Sequence, residues 1–258
     1  PVSLEEGSSD YLRIINLLHK VSHIDFSRYK PATVQRRISR RMFLNRMADH
    51  IDAYIELLES SADEVNALSR DLLIGVSSFF RDPGMFEEFA SHYLNNLIQR
   101  APEQELRIWV AGCATGEEAY SYAITLLEQM RRDNRPFHFK ILASDINADS
   151  IKYAGQGIYP ESITSDLAED VLQRYFTRVE RGFRINDPVR EHLIFFQHDM
   201  TEDIPFTNID VVSCRNVFIY FTNDIQRMVV RAFGFALRHN GLLILSPSES
   251  LSNFNHFR

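Results

Sequence analysis

The stretch Trp109-Val110-Ala111-Gly112-Cys113-Ala114-Thr115-Gly116-Glu117-Glu118 sets two glycines and two carboxylates where a strand-like apolar run gives way to a helical one. Glycine at Gly112 lets a ligand approach bare backbone, and the free amides of a helix start favour polar or anionic groups. A second apolar run ends in Ser144-Asp145, about thirty positions after Gly112. From there a carboxylate can accept both hydroxyl hydrogens of an adenosine ribose, or, more plainly, cap the helix that starts near Asn147. A third run ends in His198-Asp199, in the layer that would touch an adenine ring. Any one of these is also found in ordinary turns and caps. Together, at the carboxyl ends of successive strands, they predict an adenosine-containing ligand.

The loop does not have the G-x-G-x-x-G spacing that seats a pyrophosphate, and Glu117 and Glu118 follow it at once. Those carboxylates would repel a diphosphate, but they can accept hydrogen bonds from a ribose or attract an ammonium. S-adenosyl-L-methionine, cationic and without phosphates, suits them better than NAD does.

These residues need a scaffold, and the pattern along the chain predicts one. From Leu12 to about Ala90 the apolar residues recur at helical spacing, giving four or five helices, so residues 1–90 are expected to form a helical N-terminal domain. Pro31 opens one of these helices, Pro31 to Ala48, with Val34, Ile38 and Met42 on its inner side and Arg36, Arg37 and Arg40 on another arc. After Pro102 short apolar runs alternate with helices: Leu106–Ala111, Glu117–Arg132, Phe137–Ser144, Ala148–Gly155, Leu193–Gln197, Ile209–Cys214, Asn223–Arg238 and Leu242–Ser246. That alternation predicts an α/β fold with a doubly wound, mainly parallel sheet over residues 91–258. The stripes Ala119, Ala123, Leu126, Leu127, Met130 and Ile225, Met228, Val229, Ala232, Ala236 would pack on it. Between about 162 and 191 the alternation stalls in a helical piece and two short β-like pieces, read as a small inserted β-subdomain.

Composition narrows the classes further. The net charge is −7 over 258 residues, yet seven basic residues and no acidic one lie between Phe26 and Ala48. This argues against nucleic-acid binding by the whole chain and for one basic patch that meets an acidic partner. No apolar run approaches the roughly 20 residues needed to span a bilayer, and the start lacks a secretory profile; the expectation is a cytoplasmic protein, monomeric and not inserted in a membrane. Cys113 and Cys214, about a hundred positions apart, imply neither a disulfide framework nor a metal site.

The segments Ser78-Phe79-Phe80-Arg81-Asp82, Ala114-Thr115-Gly116-Glu117-Glu118-Ala119-Tyr120-Ser121, Ala143-Ser144-Asp145-Ile146 and Cys214-Arg215-Asn216-Val217-Phe218-Ile219-Tyr220-Phe221 resemble the chemotaxis receptor methyltransferases of the CheR family, from about Tyr11 to Phe257. The resemblance implies a Rossmann-like methyltransferase domain behind an all-helical one. It also implies esterification of glutamates on the cytoplasmic helices of methyl-accepting chemoreceptors, with S-adenosyl-L-methionine converted to S-adenosyl-L-homocysteine. Residue by residue, it implies that Arg81 grips the cofactor's carboxylate, that Ser77 replaces a contacting threonine, and that Glu118 and Asp145 hold cofactor and ribose beside Gly112. Asp199 stands where asparagine usually meets the adenine, Met200 covers the ring, and Arg215 and Asn216 line the methyl-transfer site. Tyr220 faces the incoming glutamate. Arg215 would orient the substrate carboxylate and Tyr220 would aim its oxygen, with a salt bridge and a packed aromatic as the plainer readings. Arg36, Arg37 and Arg40 would dock the receptor.

Some positions depart from the family pattern. Gly75 stands where asparagine is usual. The segment Arg174 to Phe183 is shorter than in members that dock on a receptor's C-terminal pentapeptide and keeps only Gly182 of their glycine-rich β-loop, so a pentapeptide-independent enzyme is expected. The family's sheet continues with a further hairpin, whereas the sequence stops at Arg258. Two rival functions stay open: a methyltransferase for another protein or a small carboxylic acid, and a non-catalytic module that binds the cofactor and signals through partners.

Overall fold

The computed structural model describes residues 4–73, 75–100 and 104–249; Phe257, where the resemblance ends, lies outside the described residues, as do the other positions of 250–258. The chain forms two compact units, residues 1–74 with 219–226 and residues 75–218 with 227–258.

In the first unit the helices are α1 (Ser9–Ser22), α2 (Pro31–Leu44), α3 (Ile51–Ser60) and α4 (Ala62–Leu72). Ser8 caps α1 by accepting the Tyr11 N–H, and Pro31 opens α2, where its missing N–H costs nothing. As its periodicity predicts, α2 buries Val34, Ile38 and Met42. It stops at Leu44, short of Ala48, because Arg46 turns into the left-handed region (φ 60°). On α4 the buried Glu64 accepts from Arg41 (2.9 and 2.5 Å), Asn45 (3.0 Å) and the Tyr54 hydroxyl (2.9 Å). A buried charge is tolerated when paired and hydrogen-bonded, and this one ties α2, α3 and α4 together. Residues 219–226 join this unit through a Tyr29–Phe221 bridge and two backbone bonds, Lys30 N–H to the Tyr220 carbonyl (2.7 Å) and Thr222 N–H to the Arg28 carbonyl (3.1 Å).

The second unit runs α5 (Pro83–Glu88), a π-helical stretch Phe89–Leu94, α6 (Asn95–Arg100), β1 (Leu106–Ala111), α7 (Glu117–Asp133), β2 (Phe139–Asp145), α8 (Ala148–Gln156), β3 (Ile158–Tyr159), α9 (Glu169–Tyr175), β4 (Phe176–Val179), β5 (Gly182–Ile185), α10 (Asp187–Arg190), β6 (Leu193–Gln197) and β7 (Ile209–Ser213). It ends with α11 (Asn223–Ala236), whose first turn belongs to the other unit, and β8 (Leu237–Ile244). The large sheet has the order β6-β2-β1-β7-β8 with every neighbouring pair parallel. Both faces of such a sheet are covered, and β1 is accordingly buried at five of its six residues. This is a Rossmann-like α/β fold, and it follows an all-helical domain in the sequence. The strand order reverses at β1, which opens a ligand crevice at the carboxyl ends of β1 and its neighbours.

Three expectations need correction. The units part between Leu73 and Gly75, not at Ala90, because α5 and the turn after it pack on the sheet unit: Phe86 and Phe89 meet Tyr122 of α7 edge-on at 5.1 and 5.4 Å. Helical periodicity reports that a face is buried, not what buries it. On α11 the buried residues are Val229, Val230, Phe233 and Ala236, and Met228 is 41% exposed, so the stripe is rotated from the expected one. The helix also ends at Ala236, with β8 pairing briefly at Leu237 before a bulge returns it to register at Leu242.

The small antiparallel sheet, order β3-β5-β4, begins at Ile158, ahead of the expected insert. Glu128 of α7 anchors its edge by accepting from Arg174 (2.5 Å) and the Tyr175 hydroxyl (2.7 Å), and it also accepts from Arg131 (2.7 Å). Burial works against the charge, but these donors hold the Glu128 carboxyl down at about 2. No helix among the described residues is long and apolar enough to cross a membrane.

Candidate functional site

Beyond β1 the chain turns at Gly112 (φ 76°), and the N–H groups of Gly112 and Cys113 both donate to the Ser144 carbonyl at the end of β2 (2.8 and 2.9 Å). A Cβ on Gly112 would stand 2.6 Å from Val217 Cγ2 and 3.6 Å from Met200 Cε, so both the dihedral angle and the space call for glycine. One further bond laces the loop to β2, as Asp145 accepts the Ala114 N–H on Oδ2, while its Oδ1 accepts the Asn147 N–H just after β2, each at 2.8 Å. Burial raises the Asp145 carboxyl above its ordinary value, opposed by the N–H groups of Asn147, Ala114 and Ile146. Asn147 itself caps α8, accepting from Asp149 (3.0 Å) and Ser150 (3.2 Å), so Asp145 is not that cap.

At the start of α7 the two glutamates have separate surroundings. Glu117 receives Thr115 Oγ1 on both oxygens (2.9 and 2.7 Å) and a hydrogen bond from Ser77, while burial raises its carboxyl. Glu118 accepts from Ser213 Oγ at 2.6 Å and from Arg215 Nη1 at 3.1 Å, and Ser213 in turn receives the Tyr122 hydroxyl at 3.2 Å. Burial pushes Glu118 up as well, and Arg215, Ser213 and Arg81 oppose it.

The Arg215 side chain is 1% exposed. Its Nη2 meets Asp82 Oδ2 at 2.5 Å and the Arg81 carbonyl at 3.1 Å, and its buried Nε has no hydrogen-bond partner among the described residues. One guanidinium therefore joins three segments: the end of β7, the start of α7 and the turn at Arg81. The expectation that Arg215 reaches out to a substrate carboxylate does not match this geometry, because its terminal nitrogens are already committed within the protein. The turn it grips is unusual. Phe80 and Asp82, on either side of Arg81, both take left-handed dihedral angles (φ 49° and 58°), a strain found where a site holds its backbone against preference. Arg81 is exposed and donates to the Val76 carbonyl at 3.2 Å.

The second unit thus brings together Ser77, Arg81, Gly112, Glu118, Asp145, Met200, Arg215 and Asn216 through the contacts above and the Val217 packing on Gly112. Gly75 also lies on the loop, since a Cβ there would stand 2.8 Å from that of Ala114; a side chain such as asparagine would have to move it. Asp199 is committed in part to Thr201, whose N–H (2.8 Å) and hydroxyl (2.6 Å) share its Oδ1. Tyr220, Arg36, Arg37 and Arg40 belong to the first unit. There Arg36 is exposed, Arg37 is half-buried, and Arg40 lies 3.7 Å from Asp71. Asp82 and Ser213 had not been singled out from the sequence. The available signals were a serine at the end of an otherwise apolar strand and an acid following Arg81.

The donor set fits a cationic adenosine cofactor. It offers carboxylates at Glu118 and Asp145 and a bare-backbone turn at Gly112.

Known proteins resemble both units of the chain. Residues 75–258 match the family described as CheR methyltransferase, SAM binding domain, and residues 9–73 match its all-alpha domain. The chemotaxis protein methyltransferase of Escherichia coli is 32% identical over 97% of this chain and 86% of its own length; that of Salmonella typhimurium is 31% identical over 96% and 85%. An uncharacterized 104.1 kDa protein of Rhodobacter capsulatus is 40% identical over 93% of this chain, and the match spans 25% of that protein's length.

Proposed function

The chain belongs to the CheR methyltransferase family, and from that premise we propose that it esterifies glutamate side chains on the cytoplasmic helices of methyl-accepting chemoreceptors, acting in the cytoplasm as a protein-glutamate O-methyltransferase. The observation that carries this reading is the buried tie of Arg215 to Glu118 and to the turn at Arg81, beside the Gly112 loop and Asp145.

S-adenosyl-L-methionine, when bound, supplies an electrophilic methyl group on a sulfonium. Asp145 and the bare backbone at Gly112 would hold the adenosine, Met200 and Asp199 would stand by the base, and Glu118 and Arg81 would meet the amino and carboxylate ends. An arginine fork is the apt partner for a carboxylate. A substrate carboxylate is already ionised near neutral pH, so no side chain has to remove a proton. What the protein must do is position that carboxylate and lower the cost of stripping its water. Tyr220 would donate a hydrogen bond that aims the attacking oxygen. Arg215, buried and committed, would act by fixing Glu118 and the Arg81 turn, with Asn216 lining the transfer site.

The exposed arginines of α2 would meet the glutamate-rich receptor helices, and the short β4–β5 hairpin favours direct recognition over tethering by a receptor pentapeptide. Such surface contacts weaken with salt, because the Debye length falls from about 10 Å at 0.1 M to about 3 Å at 1 M. Incubation with labelled cofactor and either receptor cytoplasmic fragments or small dicarboxylic acids tests the reading. Base-labile label on receptor glutamates supports it, and label on the small acids alone supports the rival substrate class.

A further inference from the structure

A glutamate outside the cofactor loop controls the segment that carries Arg215 and Asn216. Glu249, beyond β8, accepts the Asn216 N–H on Oε2 (3.0 Å) and the Phe218 N–H on Oε1 (2.8 Å), and its Oε2 also receives the N–H (3.0 Å) and hydroxyl (2.6 Å) of Ser246. Four donors on one carboxylate make a charge-assisted clamp, a kind of bond stronger than its neutral counterpart.

The clamp bears on a segment that needs it. Asn216 holds a left-handed dihedral angle (φ 60°), an uncommon one that asparagine accepts more readily than other L-residues but that still needs its neighbours fixed. Two residues before it, Cys214 is fixed by its own N–H bond to the Ile244 carbonyl (3.0 Å), so the strand is held independently and the segment after it is held by Glu249 at Asn216 and Phe218. Those residues face the site in two ways: Arg215 carries the bond to Glu118, and Val217 lies against Gly112. A shift at Asn216 and Phe218 would therefore displace both the guanidinium tie and the wall of the cofactor loop.

We infer that Glu249 is a positioning residue for methyl transfer, one that acts by clamping the backbone of Asn216 and Phe218 and never by touching the reactants. The inference rests on the proposed methyltransferase reading, and its test has one arm that does not. In the full chain, Glu249→Ala should speed hydrogen exchange at the Asn216 and Phe218 amides while leaving the Cys214 amide protected. Methyl transfer to receptor fragments should fall on the order of a hundredfold, the usual cost of misplacing reacting groups by about an ångström, and affinity for S-adenosylhomocysteine by a smaller factor, roughly tenfold or less, because the displaced tie and loop wall bear on the cofactor too. Glu249→Gln keeps the shape and one accepting oxygen, and should recover part of both losses; it also serves if the alanine variant does not fold. Unchanged exchange at Asn216 and Phe218 would overturn the clamp. Faster exchange with an unchanged transfer rate would overturn the positioning role, and so would a parallel fall of stability, cofactor affinity and rate with no recovery in Glu249→Gln. A wild-type protein that transfers no methyl group fails the proposed function instead, and the exchange measurement then decides alone whether Glu249 holds the segment.

Discussion

Arg215 in the sheet unit is 1% exposed and meets Glu118, Asp82 and a carbonyl, whereas Arg40 on α2 is 55% exposed and lies 3.7 Å from Asp71. The same side chain is an internal tie in one unit and a surface charge in the other. Desolvation makes the difference. Removing one partner of a buried pair strands the other charge in a medium that solvates it poorly, while an exposed pair is worth little because water and salt already compensate it. Within α2 itself the contrast repeats, since Arg41 turns inward to the buried Glu64 and Arg36 turns out.

The largest effect should follow from breaking the internal tie. Arg215→Ala leaves Glu118 buried without its cation and should cost about 3–5 kcal/mol in urea unfolding; a loss below about 1 kcal/mol would mean the pair contributes as an exposed one does.

Glu128 stands between the two extremes, with a side chain 14% exposed whose partners Arg174 and Arg131 are 35% and 54% exposed. Its folded pKa of about 2 lies below the ordinary 4.5. Its contribution is therefore complete above pH 4.5 and is lost as pH falls from there toward 2. The loss should be on the order of 2–3 kcal/mol, discounted for the partners' exposure. Glu128→Gln should flatten the stability profile across that window, and a profile as steep as the wild type's would assign the acid loss to other carboxylates.

Smaller still is Asp145→Ala, which should weaken cofactor binding by about 1.5–3 kcal/mol, the range for losing hydrogen bonds to a charged group, as read by calorimetry with S-adenosylhomocysteine. Tyr220→Phe removes one hydrogen bond and should slow transfer by roughly the 0.5–1.5 kcal/mol such a bond contributes, without altering cofactor affinity. An equal loss in both would place Tyr220 in the cofactor site.

How much of this could be read in the sequence follows the range of the signal. Strands β1, β2, β6 and β7 and the loop between Gly112 and Glu118 announce themselves locally, through apolar runs bounded by glycine and acid, and the structure has them within a residue or two of where the pattern placed them. Local pattern says nothing of partners distant in sequence. Pairing of Tyr29 with Phe221 draws residues 219–226 into the helical unit, across almost the whole chain. Arg215 was visible as a residue type, but its burial depends on where Asp82 and Glu118 arrive in space. Glu249 did leave a trace, because Ser246-Pro247-Ser248-Glu249 has the Ser-x-x-Glu spacing of a capping box. That local spacing could not reveal that the carboxylate also reaches Asn216 and Phe218.

The separation of the two arginine sets is tested most directly by titrating S-adenosylhomocysteine, in parallel, into Arg215→Lys and into a variant with Arg36, Arg37 and Arg40 all changed to glutamate. A lysine keeps the charge of Arg215 but cannot span Glu118, Asp82 and the Arg81 carbonyl at once, so its affinity should drop at least about tenfold, while the triple reversal should bind as the wild type does. Wild-type affinity in Arg215→Lys, or a weakened cofactor in the triple variant, would contradict the account.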